Sequence, residues 1–474
     1  MSGTFVVVGG DAAGMSAASK AKRDDPSLDV IVFEKGEWVS YAHCGTPYYV
    51  KGEVEKLHDL LSLSPTDIEE RGIDLRRNHE VVAVDTDAET VTVEEPDGTT
   101  TQPYGDLLVA TGGRAVTEPF DGLSLDGAFT LHGLDSAAAI RAYLTPPAEY
   151  DPDDVSEYAD RDRIERHADA SPPERAAIVG GGYVGVEMAE ALTAWDLDVT
   201  LFQRSEHLLP PFGEAIGKQV ADHLREHGVT VHTGTAVSAI AGDGRVDTVI
   251  HDAGHTDVGI AIAGVGIRPN VEFLDGALDL GASGAIATDA YGRTSEPNVY
   301  AAGDCAEALH TVTGDPAWVP LGLTANRAGR AIGKSLTGEP EPVGEIAGTA
   351  VVKAFDLGCG RAGFLDAASA REAGFDPVSE TITAGSRSGY YPGAAETTVT
   401  LLGDRTSGRL LGGATVGKDR AAKRIDTVAT ALEADLSVEE VQRLDLGYAP
   451  PFSPVWDPIL VASKVLAGRI ESES

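Results

Sequence analysis

Hydrophobic residues in this chain fall in short unbroken runs ended by glycines, rather than in long amphipathic repeats. Phe5–Val8 runs into Gly9-Gly10-Asp11-Ala12-Ala13-Gly14, and Ala177–Val179 runs into Gly180-Gly181-Gly182-Tyr183-Val184-Gly185. A continuous apolar run of this length predicts a strand buried on both faces, and the small-residue stretch behind each turn predicts a helix. Strand, tight turn and helix N-terminus thus occur twice, about 170 residues apart. Each is followed by a second apolar strand, Asp29–Phe33 and Asp198–Phe202. The repeat predicts two nucleotide-binding βαβ units. Short Val-rich strands follow over Asp74–Glu95, and an apolar strand over Tyr104–Gly113. Beyond the Gly/Pro/Glu-rich linker Gly338–Gly344, strands (Thr397–Leu402, Leu410–Val416) mix with helices (Lys418–Glu433, Ser437–Arg443). The expected fold is α/β, with two Rossmann-like dinucleotide-binding domains and a C-terminal α+β domain.

Length allows this partition: 474 residues can bury two or three cores. The first nucleotide unit is expected over 1–145 and again over 296–340, the second over 174–295, and the C-terminal domain over 341–474. The stretch Pro146–Pro173, rich in Asp, Glu, Arg and Pro, reads as a solvated acidic insertion, with a functional lid as the alternative.

Charge changes the picture most. There are 75 Asp and Glu against 37 Lys and Arg, a formal charge of −38, and only 11 of those 37 are Lys. Such a surface repels nucleic acid and anionic membrane. It fits a halophilic cytosol, where molar salt shrinks the Debye length to about 3 Å and screens the self-repulsion. No basic and apolar leader precedes the first strand, and no run approaches ~18 apolar residues. The three cysteines, Cys44, Cys305 and Cys359, are too scattered for a disulfide framework or a zinc pattern, so a cytoplasmic location without a metal site is expected.

The first turn offers a pyrophosphate a helix N-terminus, where free N–H groups and the dipole favour anions. Gly9 and Gly14 hold the end positions of G-x-G-x-x-G, but Asp11 replaces the middle glycine. Glu34, at the end of the next strand and 20 residues past Gly14, is placed to accept hydrogen bonds from ribose hydroxyls. Gly10, Ala13 and Lys35 flank these positions, and Ala110-Thr111-Gly112 ends the Tyr104–Gly113 strand. Asp304 ends the apolar strand Val299–Ala302 and is a candidate for a flavin ribityl chain. The second turn matches in full through Gly180, Gly182 and Gly185, with Tyr183 and Val184 between. Its next strand ends in Gln203-Arg204, a neutral residue followed by a cation, which favours NADPH over NADH.

Cys44 lies in Ser40-Tyr41-Ala42-His43-Cys44-Gly45-Thr46-Pro47-Tyr48-Tyr49, soon after the first unit's second strand. It is expected to open a helix, whose N-terminus would stabilise a thiolate and lower its pKa. With no second cysteine nearby, it must cycle through a mixed disulfide, a persulfide or a sulfenic acid. Cys305 and Cys359 read as inert.

These stretches resemble the pyridine nucleotide-disulfide oxidoreductase superfamily, and within it the single-cysteine branch of coenzyme A-disulfide reductases. The resemblance spans nearly the whole chain. It includes Gly9–Ala18, Ser40–Tyr49, Tyr104–Gly113, Gly180–Glu187, Gly264–Asn270 with Gly266, Ala301–Glu307, Pro320–Gly329, Tyr390–Gly393 and Asp445–Phe452. It implies FAD in the first unit, NAD(P)H in the second, a homodimer built through the C-terminal domain, and CoA held as a mixed disulfide on Cys44. It also implies that Tyr448 and either Tyr390 or Tyr391 approach the sulfur from the partner subunit. Ser40 and the basic cluster Lys20, Lys22 and Arg23 are candidates for CoA, with a solvated helix face as the alternative for the cluster. His43 stands where the family commonly has Asn, as a tuner of the thiolate or a filler of space. Ala12 replaces a His of the water-forming oxidases and peroxidases, which argues against oxygen as the main acceptor. No rhodanese domain is expected after Ala467. The expected activity is electron transfer from NAD(P)H through flavin to Cys44 and a small disulfide. The alternatives are an NAD(P)H oxidase, a polysulfide or persulfide reductase, or a reductase of a small electron-transfer protein.

Overall fold

The computed structural model describes residues 3–118, 120–151 and 159–473. Its first sheet is parallel, in the order Val299–Ala301, Asp106–Val109, Phe5–Val8, Val30–Glu34, Asp74–Arg77. The central Phe5–Val8 strand is buried on both faces, which is why it carries no polar residue. Helix Ala12–Asp24 packs against helix Gly322–Ser335. Their contact is close because Gly329 and Gly333 lie against the Ala13 and Ala17 backbones, where a Cβ would come within 2.1 and 2.3 Å of carbonyl oxygens.

The second sheet repeats this plan in the order Thr230–His232, Asp198–Phe202, Arg175–Val179, Ile260–Ala263, Ala128–Thr130. Its edge strand Ala128–Thr130, with helix Leu134–Leu144 behind it, lies in the stretch assigned above to the first unit. The crossing between units therefore falls before residue 128, not at 145. Hydrogen bonds bind the crossing: Asn270 Nδ2 donates to the Thr111 carbonyl (2.9 Å) and Thr111 Oγ1 to the Asn270 carbonyl (2.6 Å).

The acidic stretch also differs from expectation. Residues 152–158 lie outside those described, but Arg161–Ala168 is a helix packed on Leu134–Leu144 with Ile164, His167 and Ala168 buried. Asp160 caps it, accepting from the Arg163 N–H at 3.1 Å. Three apolar or buried positions one turn apart sufficed to dock it, a signal masked by the surrounding charge.

The C-terminal sheet is antiparallel, in the order Ala350–Ala354, Leu357–Gly363, Leu410–Gly417, Glu396–Asp404, Pro377–Gly385. Helices Ala421–Glu433 and Pro458–Glu473 cover it. No helix among the described residues is long and apolar enough to cross a membrane.

Candidate active site

The Gly9–Gly14 turn is fixed by sterics. Gly9 adopts φ +109°, and a Cβ there would lie 2.2 Å from the Ala110 carbonyl oxygen. A Cβ on Gly14 would lie 2.0 Å from the Gly9 carbonyl oxygen, so only glycine lets the helix start this close to the strand. Glu34 closes the turn from the side, its two carboxylate oxygens accepting the Gly10 and Gly36 N–H groups at 2.9 Å each. Burial pushes its carboxyl up despite those bonds. Lys35 is exposed and Ala110 buried beside the turn.

Asp11, which breaks the glycine pattern, clasps the cysteine segment to this turn. Its Oδ1 accepts the Tyr41 N–H at 3.0 Å, and its Oδ2 is in hydrogen-bond contact with His43 Nε2. One residue earlier, the Ser40 N–H donates to the Gly10 carbonyl at 2.9 Å; Ser40 is buried, with φ +48°. Partial desolvation opposes the His43 imidazolium, but Asp11 and then Asp304 outweigh it and its pKa is raised.

Cys44 itself does not open a regular helix. It occupies a single 3-10 turn, His43–Gly45, ahead of the short helix Thr46–Lys51. It is the one exposed thiol of the three, with Cys305 and Cys359 buried. The expected lowering of its pKa is not found. Solvent reaches the residue, yet the protein around the sulfur desolvates a thiolate, and the carboxylates of Glu187 and Asp304 add repulsion, so the thiol is raised.

The opposite wall comes from the second unit. Helix Tyr183–Thr193 packs on Thr46–Lys51, and Tyr48 Oη donates to Glu187 Oε1 at 3.0 Å. Burial pushes Glu187 up to about 7, Tyr48 opposing and Glu190 adding to the shift. Glu190 is buried and joins three parts of the molecule. Its Oε1 takes Lys51 Nζ (2.6 Å) and Lys353 Nζ (2.9 Å), and its Oε2 accepts the Phe355 N–H (2.7 Å). Helix Thr46–Lys51, the nicotinamide unit and the C-terminal hairpin thus share one carboxylate, a high-stakes arrangement because a buried charge stripped of partners is costly.

The second turn copies the first. Gly180 has φ +107°, with a Cβ position 2.3 Å from the Gly264 carbonyl oxygen; the Gly185 Cβ position is 1.8 Å from the Gly180 carbonyl oxygen. Gln203 is buried and its Oε1 accepts the Gly181 N–H at 2.9 Å, while Arg204 is exposed. Tyr183 and Val184 are half-buried at the helix start, and the space a Cβ would take at Gly182 and Gly266 is open, as at Gly112.

Both cradles fit a dinucleotide. The first has a second feature that points to FAD: the Asp304 carboxylate is pushed up by burial, and its side chain makes no hydrogen bond among the described residues. Of the CoA candidates, Lys20 pairs with Asp24 (2.6 Å), Lys22 Nζ donates to the Leu28 carbonyl (2.8 Å), and Arg23 is exposed. Tyr390, Tyr391 and Tyr448 are 78%, 37% and 50% exposed on the C-terminal domain. Among the described residues none of the three makes a hydrogen bond or ring contact with the Cys44 segment. Sequence reasoning missed Asp11, Tyr48, Glu187 and Glu190. The available signal was two glutamates three apart in the otherwise apolar start of a helix, Val-Gly-Val-Glu-Met-Ala-Glu, which places both on one buried face.

Comparison with known proteins agrees with this layout. The sequence pattern of the family described as pyridine nucleotide-disulphide oxidoreductase matches residues 3–323, and that of its dimerisation domain matches 349–458. The chain is 38% identical to an NAD(P)H sulfur oxidoreductase (CoA-dependent) of Pyrococcus abyssi, over 98% of each chain. It is 28% identical to a coenzyme A disulfide reductase of Staphylococcus haemolyticus, covering 95% of this chain and 96% of that one. The solved NAD-dependent persulfide reductase of A. fulgidus superposes with a TM-score of 0.90 at 31% identity, covering 99% of this chain and 84% of that one.

Proposed function

Since the chain is an NAD(P)H-dependent flavoprotein reductase of the pyridine nucleotide-disulphide oxidoreductase family, in its coenzyme A-disulfide reductase-like branch, we propose that its electrons reach a low-molecular-weight disulfide, CoA disulfide first, by way of Cys44. The observation that carries this is the single exposed thiol, tied by Asp11 and Ser40 to the turn of the first nucleotide unit and walled by Glu187 of the second, to which Tyr48 of the first donates.

FAD would lie along the Gly9–Gly14 turn, with Glu34 on its ribose and Asp304 on its ribityl chain. Bound there, it accepts a hydride from NAD(P)H and supplies two electrons to sulfur. The chain's own residues do the rest. Thiolate Cys44 attacks one sulfur of the disulfide, forming Cys44–S–S–R and releasing one RS⁻. Two-electron reduction of that bond returns the Cys44 thiolate and releases the second thiol. His43 precedes Cys44 and has its imidazolium form favoured by Asp11, and Tyr48 or protonated Glu187 holds the proton for a leaving group. Tyr448 and one of Tyr390 and Tyr391, exposed on the C-terminal domain, reach the sulfur of the other subunit in a homodimer. Gln203 and Arg204 favour NADPH, and the acidic surface suits a salt-rich cytoplasm.

A second reading, reduction of polysulfide or CoA persulfide, is favoured by the relatives at 38% identity. The same cysteine serves both. Anaerobic oxidation of NADPH and NADH in molar KCl, with CoA disulfide, polysulfide or oxygen as acceptor, separates them. CoA disulfide is expected to turn over fastest, and Cys44→Ser to lose at least ~10³-fold of that rate, the scale for removing a covalent nucleophile. Brisk polysulfide turnover with a sluggish CoA disulfide reaction favours the second reading. A Cys44→Ser enzyme of undiminished activity overturns both.

A further inference from the structure

Away from the cysteine, two histidines and an aspartate converge where the second nucleotide unit meets the C-terminal domain. His223 lies in the last turn of helix Glu214–Glu226, and His227 follows four residues on. This spacing sets both rings on one helix face, as in two-histidine metal motifs. Asp356 comes from the other domain, in the turn between strands Ala350–Ala354 and Leu357–Gly363. One ligand atom from each of the three lies within 4.8 Å of the others.

We propose that His223, His227 and Asp356 form a transition-metal site that fastens the second nucleotide unit to the C-terminal domain.

Three observations carry this. His223 is only 5% exposed, and its Nε2 has no hydrogen-bond partner. The one close polar neighbour of that nitrogen among the described residues is Asp356 Oδ1, at 2.8 Å. A buried imidazole nitrogen facing a carboxylate from another domain is an arrangement that a shared cation would satisfy. Ligands to one Zn²⁺ at 2.0–2.2 Å stand roughly 3 to 3.5 Å apart, so this pair is nearly at coordination spacing. Exposed His227 must close by at most about 1.5 Å from the spacing found here.

One tautomer is also set. His227 Nδ1 donates to the His223 carbonyl at 2.9 Å, which leaves its Nε2 as the lone-pair donor, the usual outer-shell arrangement of a ligating histidine. His223 Nδ1 lies 3.4 Å from Glu226 Oε2. The His227 ring stacks on Phe355 (centroids 4.1 Å, 12° between planes), so the residue beside Asp356 holds the exposed ligand in place. Lys418 Nζ, 3.0 Å from Asp356 Oδ2, occupies the other carboxylate oxygen and leaves Oδ1 as a single ligand. That ammonium also weakens binding of any cation. Two imidazoles and one carboxylate select Zn²⁺, Co²⁺, Ni²⁺ or Cu²⁺ over Mg²⁺ or Ca²⁺, with water completing the shell on the exposed side.

The position gives the site its role. The hairpin that carries Asp356 is also held from inside by Glu190, through Lys353 and the Phe355 N–H. The metal would add an outer fastening to the same hairpin.

The test uses full-length FAD-loaded enzyme, stripped with chelator, with Cys44 alkylated to remove a competing ligand. Zn²⁺ is titrated by calorimetry in molar KCl, which screens the acidic surface. One Zn²⁺ per chain is expected, with a Kd at or below about 10 µM, weakened at least tenfold by His227→Ala and by Asp356→Asn. Zn²⁺ should raise the unfolding temperature of the wild type by several degrees and leave that of His227→Ala unmoved. Because His227 is exposed, that variant folds. Co²⁺ should give a d–d spectrum that both substitutions abolish. Absence of stoichiometric binding below ~100 µM, or binding equal in wild type and both variants, overturns the site. Neither result bears on turnover at Cys44.

Discussion

The two glycine turns are near copies in backbone and differ in their side chains. Gly9 and Gly180 share their left-handed φ (+109° and +107°) and lie equally close to a carbonyl of the neighbouring strand loop. Even the strand-end residues act alike, Glu34 and Gln203 each accepting the second glycine's N–H at 2.9 Å. The charge of that strand-end acceptor differs, and so does the third turn position, Asp11 in one and Gly182 in the other, beside the change from Ala12-Ala13 to Tyr183-Val184. Sterics therefore fix the fold of a nucleotide turn, while these side chains decide which ligand it takes and what it is coupled to. In the first unit the coupling is to the cysteine.

The largest effect should come from attacking what the turns share. Gly185→Ala drives a Cβ to 1.8 Å from the Gly180 carbonyl oxygen, a backbone clash no rotamer relieves. The KM for NADPH and NADH should rise at least ~100-fold, with flavin content unchanged. Gly14→Ala should do the reverse, yielding protein purified without its yellow colour. Normal nucleotide binding in both would mean that close approach is not what shapes the turns.

Next comes the side chain that separates them. Asp11→Gly completes the glycine pattern of the first turn, so flavin should be retained. It also releases the Tyr41 N–H and His43. Turnover with disulfide is expected to fall at least about tenfold, the order for losing two charge-assisted contacts, while the rate of flavin reduction by NADPH stays put. Equal loss in both half-reactions would show Asp11 serving the nucleotide rather than the cysteine.

Glu187 tests the wall contributed by the second unit. Its carboxyl is raised from an ordinary 4.5 to about 7, chiefly by burial. A raised acid holds its proton more tightly folded than unfolded. Its contribution to stability is complete below pH 4.5 and is lost as pH rises through about 7. Glu187→Gln should remove that loss, gaining on the order of 3 kcal/mol relative to wild type between pH 5 and pH 8 in denaturant melts. It also removes a negative charge near the Cys44 thiol, so thiolate absorbance should titrate about one pH unit lower. A Cys44 titration that does not move would sever the two groups.

How much of this was legible beforehand follows the range of each interaction. The turns were readable because a glycine forced by a backbone clash leaves its mark in four or five consecutive letters, and Glu34 and Gln203 sit at fixed distances beyond. Cys44 was readable as the lone thiol beside such a turn. Its raised pKa was not, since Glu187 and Asp304 reach it from 143 and 260 residues away in sequence. Asp11 read as a defect because its partners Tyr41 and His43 are 30 and 32 residues off. Strand Ala128–Thr130 was placed in the wrong unit for a related reason: three residues carry no label for which sheet edge they will pair with.

The smallest effect concerns the nicotinamide. Gln203 Oε1 is taken up by the Gly181 N–H, exactly the bond Glu34 makes in the first unit, so its use for a ribose hydroxyl is limited to what geometry remains. Discrimination then falls on Arg204, exposed beside it. An exposed cation facing a 2′-phosphate contributes modestly, and less in molar salt. Arg204→Ala should raise the KM for NADPH about fivefold and leave that for NADH alone. Gln203→Glu, which makes the second turn's acceptor match the first, should add to the shift by repelling the phosphate while keeping the Gly181 bond. Both ratios should shrink between 0.2 M and 2 M KCl if charge is the cause. A preference that survives high salt intact would place it in shape around Gly182 and Gly266 instead, and the two turns would then differ by more than their side-chain charges.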